Sequence, residues 1–227
     1  MSRSFRAWRL VAPLLVCAPV LAAQGVVSGQ VSIRERPGEE TEDLTNAVVW
    51  LEATTPSRAH PATTATSMQL QSRQFQPRVK VVTEGSKVTF LNGDSFSHNV
   101  FSKAAGSAFD TGVFGRSEKH EQLFKDAGVV PLYCNIHPRM TGYVVVLPSA
   151  NYAQAGDDGR FRLSAVPAGS YVLHVWHDRA TEATRPLVVA AAGVAVPRVE
   201  LDGRGYRFVQ HKNKFGQEYT SATGDRY

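Results

Sequence analysis

Short runs of apolar and β-branched residues, each bounded by turn-forming residues, recur along most of the chain. Several runs alternate apolar and polar positions with the period of two that is typical of a half-buried strand. No stretch of helical length shows a convincing period of 3.6 residues. Short strands at this spacing predict an all-β protein built as an antiparallel sandwich or barrel. The runs predicted as strands are 26–33, 46–52, 68–75, 78–82, 87–92, 98–102, 120–124, 128–134, 142–147, 185–190 and 196–201.

The segment 157–178 alternates most clearly, and turn residues interrupt it at 158–159 and 167–169. This pattern predicts a hairpin with one buried face. The stretch 53–67 is rich in Thr, Ser and Pro and predicts a loop. The polar tail 206–227 is expected to lie along a surface or to be partly disordered.

Residues 1–23 have the composition of a secretory signal. Three arginines precede the apolar run LVAPLLVCAPVLAA, which ends in small residues and predicts cleavage near Ala23. The protein is therefore expected to be periplasmic or secreted, and no other segment is apolar enough to span a membrane. Without these residues the formal net charge falls from +5 to +2, so charge gives no support to nucleic-acid binding.

The chain holds two cysteines, and only Cys134 lies outside the predicted signal, so an intramolecular disulfide is excluded from the mature protein. A lone thiol in an oxidising compartment needs a role that occupies it. It could act as a nucleophile, pair with another chain or bind a metal. It could also be an inert, buried thiol that packs as a small hydrophobe.

Three potential metal donors lie within seven positions of the segment YCNIHPRMTGYVVVL: Cys134, His137 and Met140. His98, at the start of an earlier predicted strand, could supply a fourth donor. Two imidazoles, a thiolate and a weak thioether are the donor set of a blue-copper site, whereas methionine is a poor ligand for zinc. A catalytic cysteine is the main alternative, but no Asn or Asp is evidently placed to orient the histidine. The donor set therefore predicts copper, with a hydrolase and an inert thiol as alternatives.

The motifs His98-Asn99-Val100 and Cys134-x-x-His137-x-x-Met140 resemble those of a cupredoxin over residues 68–147. The short loop from Cys134 to Met140 is most similar to the amicyanin variant, since the plastocyanin loop is longer. The resemblance implies one copper ion per chain, with His98, Cys134 and His137 as equatorial ligands and Met140 as the axial ligand. It also implies that Asn99 ties the two ligand loops together and donates its backbone N–H to the Cys134 sulfur. The edge of the His137 ring is expected to reach the surface, as the exit for an electron.

Segments 24–67 and 148–205 resemble a carboxypeptidase regulatory-like, transthyretin-type β-sandwich. The residues that carry this resemblance are a Gly-x-Val opening, NAVVWLE, Asp-Gly-x-Phe-x-Leu and Pro-x-Gly-x-Tyr-x-Leu-x-Val. The expected architecture is a Greek-key cupredoxin sandwich inserted in, or adjacent to, this second sandwich. One merged sandwich is a further possibility, and residues 206–227 form a C-terminal tail after the second sandwich.

These features predict an exported, mononuclear type 1 copper protein that carries single electrons and is not an enzyme. The resemblance implies redox partners such as a dehydrogenase or a c-type cytochrome. One alternative is a periplasmic protein that binds or delivers copper without redox turnover, although the sequence has no Met-rich or His-rich transfer segment. Another is a binding module in which copper is incidental.

Overall fold

The computed structural model describes residues 23–40, 44–55 and 61–219, so the predicted signal segment up to residue 22 lies outside the described residues. Within those ranges the chain forms strands and no helix, which confirms the predicted all-β class, and no helix there could span a membrane. The strands are β1 (Gln24–Arg34), β2 (Val48–Ala53), β3 (Ala65–Gln71), β4 (Gln74–Gln76), β5 (Val79–Thr83), β6 (Ser86–Asn92), β7 (His98–Ser102), β8 (Phe109–Phe114), β9 (Lys119–Phe124), β10 (Gly128–Tyr133), β11 (Thr141–Leu147), β12 (Tyr152–Gln154), β13 (Arg160–Pro167), β14 (Gly169–His177), β15 (Ala180–Val189), β16 (Val194–Ala195) and β17 (Val199–Asp202).

Strands β3–β11 form two sheets that pack as an inner sandwich. One sheet has the order β5-β11-β10-β7-β8 and the other β4-β3-β6-β9. Side chains from both sheets meet in one apolar core, to which each buried Leu, Met or Phe contributes about 1.5–3 kcal/mol. Members of this core include Met68, Leu70, Phe90, Phe114, Phe124, Leu132, Cys134, Met140 and Val144.

The remaining strands form an outer sandwich with a core of its own. Its sheets are β13-β1-β16, with β17 also paired to β1, and β12-β2-β14-β15. A third apolar cluster joins the two sandwiches, because Val48, Trp50 and Trp176 pack with Val145 and Leu147. Strands β2 and β11 are therefore buried on both faces, which explains why both read as continuous apolar runs. The domain boundaries and the transthyretin-type relationship stay predictions.

The predicted hairpin over 157–178 is wrong. Strand β13 pairs with β1, and β14 pairs with β2 and β15, so the chain crosses between the two outer sheets at residues 167–169. Each strand still buries one face in the same core, and this burial produces the alternation that suggested a hairpin. Strand β8 was not predicted, because it is half-exposed and carries Asp, Thr and Gly.

Candidate metal centre

The predicted donors come from two places at one end of the inner sandwich. His98 is the first residue of β7, and the loop between β10 and β11 carries Cys134, His137 and Met140. Two backbone hydrogen bonds close this loop: the N–H of Met140 donates to the carbonyl of His137 at 3.0 Å, and the N–H of Cys134 donates to the carbonyl of Met140 at 3.3 Å. The loop therefore doubles back and keeps its donors together.

Two imidazole nitrogens converge on one sulfur. The Nδ1 atoms of His98 and His137 lie 3.7 and 3.5 Å from the Cys134 Sγ. The ligand atoms of all three residues lie within 4.8 Å of one another. His98 and Cys134 are fully buried and His137 is 6% exposed, so a bound ion would be held away from bulk water. This spacing allows one metal ion to contact all three donors.

Met140 is 1% exposed and belongs to the same apolar core as Cys134. Its backbone bonds to His137 and Cys134 place it at the end of the ligand loop. The assignment of Met140 as the axial ligand stays a prediction.

The ring of His98 is oriented by Asp94, a residue that the sequence reasoning missed. The His98 Nε2 lies 2.9 Å from the Asp94 carboxylate. The backbone N–H groups of Ser72 and Arg73 also donate to this carboxylate, at 2.8 and 3.1 Å. A carboxylate behind a metal-binding histidine fixes its tautomer and orientation. The signal in the sequence was an acidic residue four positions before the histidine, in NGDSFSH.

The charge states of this pair suit metal binding. Burial lowers the pKa of His98, and its effect outweighs that of Asp94, which raises this pKa. The imidazole is therefore neutral. Burial opposes ionisation of Asp94, but hydrogen bonds from Arg73, His98 and Ser72 outweigh it and lower the pKa of this carboxyl. An ionised carboxylate can only accept, so His98 carries its proton on Nε2 and leaves Nδ1 directed at Cys134.

Phe96 covers the outer side of the two histidines. Its ring centroid lies 5.3 Å from those of both His98 and His137, and the guanidinium of Arg73 lies 5.1 Å from the same ring. Phe96 is 37% exposed, whereas His137 is almost fully buried, so less of the His137 ring reaches the surface than the sequence suggested.

Asn99 is fully buried beside His98. Its side-chain amide donates to Asp110 at 2.6 Å and to the carbonyl of Gly112 at 2.8 Å, so it holds the edge strand β8. Its predicted role in tying the two ligand loops together stays a prediction.

The donor set fits a type 1 copper ion. A thiolate with two neutral imidazoles suits copper, and a nearby thioether is a soft donor that copper accepts and zinc rarely does. The strands β7, β10 and β11 and the Asp94 contact already hold these donors together in the folded chain.

No protein-family model and no curated protein matches the sequence. Among solved structures, a purple cupredoxin from Nitrosopumilus maritimus is 23% identical with a TM-score of 0.33, over 36% of this chain and 99% of the other. A reduced amicyanin variant is 24% identical with a TM-score of 0.35, over 43% of this chain and 99% of the other. A copper-containing nitrite reductase from Thermus scotoductus is 24% identical with a TM-score of 0.36, over 44% of this chain and 25% of the other.

Proposed function

We propose that this protein binds one copper ion through His98, Cys134, His137 and Met140 and acts as an exported one-electron carrier rather than an enzyme. The observation that carries the proposal is the convergence of two histidine Nδ1 atoms on a buried cysteine sulfur. A bound copper ion would supply reversible one-electron transfer between its two oxidation states.

The chain's own residues favour that chemistry. Asp94 holds the His98 ring, and the backbone bonds of the ligand loop hold Cys134 and Met140, so the donors need to move little between oxidation states. Phe96 and the apolar core keep water from the donors. The Cys134 thiol would give up its proton on binding the metal, so that a thiolate is the donor.

The partners we propose are acidic redox proteins such as a c-type cytochrome or a dehydrogenase. Exposed aromatic side chains flank the ligand loop: Phe96, which contacts His137, and Phe208, which lies 5.6 Å from the guanidinium of Arg139 and is 50% exposed. Arginines at these rings add positive charge to an apolar surface. Such a surface supports contact with an acidic partner and a rate of association that falls with added salt.

The test of electron transfer uses residues 24–227 loaded with copper. Cyclic voltammetry should give one reversible one-electron wave, and stopped-flow mixing with a reduced c-type cytochrome should oxidise the cytochrome. Cys134→Ser should abolish both signals. The control His174→Gln should retain them, since His174 stacks on Trp50 in the outer sandwich. Bound copper without a reversible wave would contradict the carrier function and favour copper storage or delivery.

Export has its own test. Amino-terminal sequencing of the protein from a periplasmic or secreted fraction should begin near residue 24. A protein that begins at Met1 and stays in the cytosol would contradict this part of the proposal.

A further inference from the structure

Residues 206–219, here called the C-terminal strap, lie across the ligand loop. After β17 the chain forms no further strand in its described part, yet it returns to the inner sandwich. The hydroxyl of Tyr219 donates to the carbonyl of Cys134 at 2.9 Å. A residue 85 positions away in sequence therefore holds the backbone of a proposed ligand.

A second residue of the strap connects both segments that carry donors. The backbone N–H of Lys214 donates to the side chain of Asn135, next to Cys134, at 2.8 Å. The Lys214 ammonium pairs with Asp110 at 2.6 Å, and the same carboxylate accepts from Asn99, next to His98. Lys214 thus links the neighbours of His98 and Cys134.

Aromatic packing seats the strap on the sheet beside the site. The His211 ring lies between Tyr133 and Tyr219, with centroid distances of 4.8 and 5.4 Å. A turn around Asn213 stiffens the segment, because its side-chain oxygen accepts from the backbone N–H groups of Phe215 and Gln217. The strap is therefore an ordered element whose polar contacts converge on the residues around Cys134.

We propose that the C-terminal strap positions the metal centre, with Tyr219 and Lys214 as its positioning residues. A hydrogen bond to the Cys134 carbonyl fixes the backbone from which the sulfur projects, and the Lys214 contacts fix the separation of the two donor segments. Groups that orient metal ligands in this way typically affect metal affinity 10- to 100-fold. This inference deepens the proposed copper function and rests on it for the metal, but the hold on Cys134 exists without metal.

Measurements on the apo-protein test the hold of the strap on Cys134 separately from copper binding. Cys134 is fully buried, so a thiol reagent reaches it only when the site opens. Tyr219→Phe removes one hydrogen bond and should speed thiol modification about 5- to 10-fold. Lys214→Met should act in the same direction, and the double variant should be faster than either single one. Tyr152→Phe is the matched control: it lies outside the strap, in β12 of the outer sandwich, so the rate should stay at the wild-type value.

The copper-loaded protein supplies the second readout. Tyr219→Phe should lower Cu(II) affinity about 10-fold and shift the thiolate-to-copper absorption band, while circular dichroism stays unchanged. If the thiol modification rate and the copper band of Tyr219→Phe match those of Tyr152→Phe, the proposal is overturned. A wild-type protein without a copper band, but with thiol protection that depends on Tyr219, would refute the copper function and support the strap's hold on Cys134.

Discussion

Substitution of Asp94 by Asn tests how the chain prepares His98 for a metal. The Asp94 carboxylate accepts from Ser72, Arg73 and Gln71 on one side of the site and from His98 on the other. Asparagine keeps the shape but replaces one accepting oxygen with a donating NH₂ group. If the NH₂ group faces His98, the Nε2 must accept, and the imidazole proton moves to Nδ1, the atom directed at Cys134.

The size of the effect follows from that change of tautomer. Loss of an orienting partner behind a metal-binding histidine typically costs 10- to 100-fold in affinity. At about 1.4 kcal/mol for each factor of ten, this corresponds to about 1.4–2.8 kcal/mol of binding free energy. The apo-protein should also lose about 1–3 kcal/mol of stability, because the Arg73 N–H that donates to the same oxygen loses its acceptor.

Competition between the protein and a chelator for Cu(II) at pH 7 measures this affinity directly. The control is Asp202→Asn. The Asp202 carboxylate is exposed, lies at the end of β17 in the outer sandwich and pairs with Arg204 at 2.7 Å. The control should bind copper as the wild type does. Nitrogen NMR shifts of the apo-protein should show the His98 proton on Nε2 in the wild type and on Nδ1 in Asp94→Asn. An Asp94→Asn protein that binds copper within twofold of the wild type would refute the orienting role of Asp94.

Three further predictions concern the axial donor, the junction between the sandwiches and acid stability. Met140→Leu conserves side-chain volume and should cost under about 1.5 kcal/mol of apo-protein stability. It should nevertheless raise the reduction potential of bound copper, because the oxidised ion loses a donor. An unchanged potential in voltammetry would exclude Met140 as a ligand. Leu147→Ala should lower the free energy of unfolding in urea by about 2–5 kcal/mol, because Leu147 is buried in the junction and only 1% exposed. The control Val188→Ala should lower it by under about 0.5 kcal/mol, because Val188 is 71% exposed. Equal losses in the two variants would contradict the buried junction. Burial lowers the pKa of His177 below its ordinary 6.5, so the unfolded chain takes up this proton first as the pH falls. The free energy of unfolding of the apo-protein should therefore fall below about pH 6.5, by up to about 1.4 kcal/mol per pH unit. In urea unfolding between pH 7.5 and 5.5, His177→Gln should show a smaller change of this free energy with pH, and an identical change would argue against the assignment to His177.

Local patterns in the sequence were sufficient for many of the strands, though not for β8, and they did not predict all of the pairings. Alternation reports which face of a strand is buried, and β13 and β14 both face the outer core although they lie in different sheets. The spacing of Cys134, His137 and Met140 is local, so it could be recognised without a structure. His98 could be placed with them because its motif follows the same family pattern.

The contacts around the donors were harder to predict, since they join residues distant in sequence. Asp94 sits close to His98 and could have been recognised, but its acceptor role also depends on the turn at Ser72 and Arg73, both with positive φ. The tail has no apolar period, so nothing in its sequence indicates a docking site. The position of its described part, residues 206–219, depends on polar contacts such as that between Tyr219 and Cys134 and on the packing of His211 against Tyr133, which only the folded chain brings together.

A visible and EPR spectrum of residues 24–227 with one equivalent of Cu(II) tests most directly whether the Cys134 thiolate and the two histidines hold copper. An intense thiolate-to-copper band with narrow hyperfine splitting, absent in Cys134→Ala, is the result that the geometry predicts. A colourless protein, or a spectrum that Cys134→Ala leaves unchanged, would contradict copper binding at this site.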